Sequence, residues 1–221
     1  MLPHRFHLRL LRLALVLTLT CAQPAAFPAP SSRAEALADL ERPETGRRAE
    51  AVVWIASHGA MDDQALLLKR LRDEDPVVRG LAEQGLWLLW SRSGDAEIDR
   101  LLARGVEEMQ SGEHRKAIAT FSEVTRRRPA FAEGWNKRAT VHFLAGDLRK
   151  SLADCDEVMR RNPFHFGALA GYGQIHFQLE QYERAIDYWR RALEVNPNMI
   201  GVELNIKGAE ELLRRQRGRT A

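Results

Sequence analysis

The chain has 221 residues, 45% of them hydrophobic and 29% charged. Its formal net charge of +3 is accounted for by Arg5, Arg9 and Arg12, and the basic and acidic residues beyond them balance. A balanced chain argues against nucleic-acid binding, which needs clustered positive charge. Residues 1–26 read as a secretory signal. Three arginines precede the apolar run Leu13–Leu19, broken only by Thr18, and small residues and prolines follow through Pro30. Cleavage is expected near Ala22 or Ala26. The apolar run is shorter than the ~20 residues a membrane span needs, so no stable span is expected after cleavage. Thr20 before Cys21 does not suit a lipoprotein signal. The order of segments predicts export, to a bacterial periplasm. A mitochondrial presequence is the alternative, because the first 34 residues hold no acid. Cys155 is then the one cysteine left, and no internal disulfide can form. Residues 27–43 read as a Pro/Ala-rich linker.

Residues 44–97 predict helices. Ala49, Val52, Val53 and Ile55 give one apolar face near 46–57. Leu67, Leu68 and Leu71 give another, ahead of Asp73, Asp75 and Pro76, and Val78, Arg79, Ala82 and Leu86 follow. Asp75 suits a helix N-cap and Pro76 a first turn. Two helices joined in this way resemble a HEAT repeat. The resemblance implies that Asp73 and Arg79 hold neighbouring units together. Trp87 and Trp90 are expected to pack on the first of the repeats that follow, in one array running continuously from about 44 to 217.

From residue 98 the chain repeats. Pro129, Pro163 and Pro197 stand 34 residues apart, Gly112 and Gly146 share a phase, and so do Phe121, Cys155 and Trp189. Three units follow, 98–131, 132–165 and 166–199. Each holds two amphipathic segments, a Gly turn (Glu180–Gln181 in the third) and a Pro that stops the second helix. The arginines at 126–128 and at 160 and 161 face the negative ends of helix dipoles. This period and placement resemble the tetratricopeptide repeat (TPR). The implied fold is all-α: a right-handed α-solenoid of three helical hairpins, preceded by the HEAT-like helices. Residues 200–221 form a polar capping helix with a basic tail. Arg104, Arg138 and Glu108 depart from the apolar pattern and predict looser seams in the first helices.

No catalytic constellation is evident. Gly167, Gly171 and Gly173 fall inside a helix and are not a phosphate loop. His142 and His176 share a repeat position and would be neighbours, which leaves a remote alternative of a metal-dependent enzyme. A metal site would need a third ligand, so no metal and no cofactor is expected. Cys155 takes the slot of Phe121 and Trp189 as a small hydrophobe. The TPR resemblance implies a concave groove lined by the first helix of each hairpin. Its candidate binding residues are Asn136, Lys137, Thr140, Phe143, Ala170, Gln174 and Phe177, with Phe143 and Phe177 as an aromatic ladder. The Lys and Asn set with which one TPR subclass clamps a chaperone's C-terminal carboxylate is missing. Its positions hold Leu102, Val106, Lys137, Gly167 and Gly171. The reading is a non-catalytic scaffold for a protein or peptide partner in an exported compartment, with self-association possible. The alternative is an accessory subunit or assembly chaperone for a periplasmic enzyme complex.

Overall fold

The structure, a computed structural model, describes residues 27–220. The expected signal segment 1–26 lies outside the described residues, which contain helices and no strands. The hairpins of the three repeats are α5 (Ala96–Gln110) with α6 (His114–Arg127), α7 (Ala132–Leu144) with α8 (Leu148–Arg161), and α9 (Phe166–Gln178) with α10 (Tyr182–Val195). Each hairpin packs on the next, and α11 (Ile200–Thr220) lies on α10. The result is an α-solenoid of helical hairpins.

Local chemistry explains the boundaries. The Asp95 carboxylate accepts from the backbone N–H groups of Glu97 (2.8 Å) and Ile98 (3.3 Å), satisfying two donors that the start of α5 leaves free. Gly112 and Gly146 take positive φ, 74° and 80°, in the turns inside the first two hairpins. The third turn puts Glu180 in the same left-handed region, at 58°, where an L side chain is strained. The helices α6, α8 and α10 have Arg128, Asn162 and Asn196 as their C-terminal cap residues, each followed by a proline. The arginines on these ends are paired: Arg126 with Glu123, Arg127 with Glu97, and Arg160 and Arg161 with Glu157. Each of these arginines thus meets an acidic partner as well as the negative end of its helix.

Inside the hairpins, the residue at repeat position 8 faces the one at position 24. Repeats one and three pair a glycine with a ring. A Cβ added to Gly105 would sit 2.5 Å from Phe121, and one added to Gly173 would run into Trp189. Both rings are fully buried, contributing about 1.5–3 kcal/mol each by removal from water. Repeat two pairs Ala139 with Cys155. Its expected loose seam is closed by polar contacts instead. The Arg138 guanidinium donates two bonds to Asp154 (2.8 and 2.7 Å), one to Ser122 (3.2 Å) and one to Thr125 (3.1 Å), and it lies over the Trp135 ring.

The N-terminal part corrects two expectations. Segment 27–43 is not a bare linker: it carries α1 (Arg33–Asp39), capped by the Ser32 hydroxyl, with Ala36 and Leu40 buried. α1 packs on α2 (Thr45–His58), and α2 packs on α4 (Pro76–Trp90), which also holds α3 (Gln64–Arg70). Asp75 caps α4 through the Val77 N–H, with Pro76 in the first turn. Buried Arg48 on α2 donates to both Asp73 oxygens (3.0 and 2.9 Å), tying α2 to the turn before α4.

The ring contacts of Trp87 and Trp90 lie beyond the first repeat, although Trp90 also lines a small pocket with Ala130 and Phe131 at that repeat's end, and the unit does not simply extend the stack. It folds back along the solenoid edge formed by the loops between repeats. Trp90 stacks on His165 at 4.4 Å, and Trp87 meets Phe166 edge-on at 5.2 Å, both at the junction of repeats two and three. Further along, Arg72 donates to the carbonyls of Glu194 and Val195, capping the end of α10. Asn198 donates to Leu71 O (2.8 Å) and accepts from Arg79 (3.0 Å).

Candidate peptide-binding groove

Between α7 and α9 the concave face opens into a cavity of about 130 Å³. It is lined by Asn136, Thr140 and Phe143 from α7, by Gly167, Gly171 and Gln174 from α9, and at its floor by Ala139 and Cys155. Its position follows from the packing. Where repeats one and three hold a buried ring, repeat two holds Cys155, and the missing volume lies at the groove floor. Gly171 widens the mouth, since its missing Cβ would face only Cys155 Sγ, at 3.8 Å. Burial, with Asp154 and Asp156 nearby, pushes the Cys155 thiol up to about 12, so it lines the cavity as an uncharged, unreactive group.

Beside the cavity lies a buried polar network. Glu133, at the start of α7, accepts from Asn136 Nδ2 (3.0 Å) and shares a 3.0 Å contact with His165 Nε2 through the same oxygen. The Lys137 ammonium is 3.0 Å from its other oxygen. His165 Nδ1 accepts from the Ala168 N–H (3.1 Å), capping α9 and leaving Nε2 to carry the proton toward Glu133. Burial alone would raise the Glu133 carboxyl; His165 and Lys137 outweigh it and hold the group below its ordinary range. Neither Glu133 nor His165 is signalled by the repeat pattern, which marks apolar positions.

The groove residues expected from sequence divide into two sets. Asn136, Thr140, Phe143 and Gln174 converge on the cavity, with Lys137 beside it but engaged by Glu133. Ala170 and Phe177 do not: they pack against the cluster of Trp189, Ile186, Val202 and Ile206, under the capping helix. Phe143 belongs to a different cluster, with Ala139, Cys155, Tyr172 and Ile175, so the expected aromatic ladder is not formed. His142 and His176 likewise make separate contacts. His142 lies 3.4 Å from Asp147, and burial holds its ring below its usual range. His176 bonds Gln181 at 2.8 Å and stacks on Tyr188. Among the described residues, no three His, Cys, Asp or Glu side chains are grouped to hold a metal. No helix among them is long and apolar enough to cross a membrane.

Comparison with known proteins bears on this arrangement. Two models of the tetratricopeptide repeat match, over residues 102–164 and 170–199. A TPR repeat-containing protein of Rhizobium etli is 33% identical over 130 residues, 59% of this chain and 63% of that protein. The chain thus spans just under two thirds of that relative's length. Among solved structures, the Sgt2 TPR domain from Aspergillus fumigatus is similar at a TM-score of 0.53 and 19% identity, over 56% of this chain and 83% of that one. The first TPR of Spaghetti (RPAP3), bound to an HSP90 peptide, gives 0.52 and 21%, over 54% and 96%. The TPR2B domain of yeast Sti1, in complex with pHsp70, gives 0.51 and 18%, over 53% and 99%. At these identities the structural likeness speaks to the fold. With its hairpins, its 34-residue period and these two matches, this chain carries tetratricopeptide repeats over residues 102–164 and 170–199.

Proposed function

We propose that the protein is a non-catalytic scaffold that captures a protein partner by a peptide segment laid in the groove between α7 and α9. The observation that carries this reading is the cavity itself. Its walls are apolar, and the amides of Asn136 and Gln174 and the Thr140 hydroxyl sit at its rim, the pattern of a site that seats a side chain and orients a backbone. Peptide complexes of the Spaghetti and Sti1 domains lend support from the same fold. The test compares proteins captured by the full-length protein with those captured by a Gly171→Leu variant, whose new side chain projects into the cavity. A partner retained by the first and lost by the second supports the groove; identical capture by both overturns it. Export to a periplasm is part of the proposal and rests on the order of residues 1–26. Cell fractionation tests it, and a cytosolic full-length protein would contradict it.

A further inference from the structure

The same groove carries information about which peptide it takes, and this inference rests on the peptide-binding reading. None of the residues lining the cavity is ionised. Lys137, next to Asn136 on α7, is held by charge pairing: its ammonium lies 3.0 Å from buried Glu133 and 5.9 Å from the centre of the Trp87 ring. Drawing Lys137 toward a ligand carboxylate would strip one partner from a carboxylate with no exposure to water, which is costly. Trp87 stands beside this end of the groove, against Gly167. Its ring tip comes closer than van der Waals contact to where a Gly167 Cβ would sit, and the N-terminal unit holds it there through its ring contacts with His165 and Phe166.

What the groove offers is neutral. Asn136 uses its Nδ2 on Glu133, which leaves Oδ1 as an acceptor. Gln174 lies across the cavity from it with both a donor and an acceptor. A pair of amides matches the donors and acceptors of an extended backbone. The cavity, at about 130 Å³, is near the roughly 150 Å³ that accommodates a benzene ring in another protein, so it suits one aliphatic or aromatic side chain.

We infer that the groove selects an internal, uncharged peptide segment anchored by one apolar side chain, and that Trp87 is the specificity-determining wall that turns away a peptide's free C-terminus. Recognition thus depends on a residue outside the repeats, delivered by the unit folded back on them.

Two random-peptide phage libraries test this on the full-length protein, one displaying peptides internally and one at a free C-terminus. Enrichment is expected in the internal library, around an apolar residue with uncharged neighbours. Enrichment only at free C-termini, or around a charged anchor, would overturn the inference and leave the peptide-binding reading standing. No enrichment in either library would overturn that reading itself. A selected peptide is then cut to end beside its anchor and made with an amide or a free acid terminus. The wild-type protein should prefer the amide by about tenfold or more, and Trp87→Ala should close that gap. A gap absent from the wild type, or unchanged in the variant while both proteins keep the same helical content, would contradict the role of Trp87.

Discussion

Repeat two and its neighbours solve one packing problem in opposite ways. In repeats one and three a glycine on the first helix admits a large ring from the second, and the interior is solid: Gly105 under Phe121, Gly173 under Trp189. Repeat two puts Ala139 against Cys155, leaves a cavity on the concave side, and adds a buried ionic network at the base of α7. A solenoid is close to a sum of its units and their interfaces, so one unit can give up volume while its neighbours remain tightly filled. On the proposed function, the difference separates stability from binding along this protein.

The largest effect should come from the network peculiar to repeat two. Glu133→Gln leaves His165 and Lys137 without their carboxylate and should cost about 3–5 kcal/mol, read from urea midpoints. Because the folded-state pKa of Glu133 lies below its unfolded value, its contribution is complete above the ordinary carboxylate range. It is lost as pH falls through that range and past the folded value. The variant should therefore lose less stability than the wild type on acidification; equal losses would show that the ionised carboxylate contributes nothing. Next comes Gly173→Ala, which drives a methyl into Trp189 and should cost about 1–3 kcal/mol despite the better helix former. The reverse change in repeat two, Ala139→Gly, meets no ring and should cost about 1 kcal/mol from helix propensity alone. Similar losses from the two would erase the contrast between the repeats. The smallest expected effect is a gain: Glu180→Gly relieves the left-handed backbone in the third turn and should stabilise by about 1 kcal/mol. A loss there would mean that Glu180 makes a contact worth more than its strain.

The repeats were legible because their signals are periodic and local. Turn glycines, terminal prolines and the Asp75 cap each act within a few residues, and the structure places them as their chemistry requires. The Cys155 slot was also visible, as a break in a series of rings, although a break alone does not say whether neighbours fill the space. The fold-back of the N-terminal unit left no such trace. Its ties, Arg72 to the end of α10 and Asn198 to Leu71, join residues more than a hundred positions apart, and no period reports them. α1 was hidden by composition: the buried apolar side chains of Ala36 and of the cap residue Leu40 suffice to dock so short a helix within a Pro/Ala-rich segment. Glu133 and His165 were missed because helical periodicity marks apolar faces, while a buried polar pair depends on partners that only the fold brings together. Phe177 occupies a groove position by register, yet the capping helix covers its surroundings, which a repeat alignment does not contain.

The most direct test of the central claim rewrites repeat two in the manner of its neighbours. An Ala139→Gly/Cys155→Phe double variant recreates the glycine–ring pair of repeat one and should fill the cavity. Its thermal midpoint and its affinity for a library-selected peptide would be measured beside those of the wild type. The expected result is a protein that melts no lower than the wild type and binds at least about tenfold more weakly. A variant of equal stability that binds the peptide as tightly as the wild type would show that the cavity between α7 and α9 is not the site.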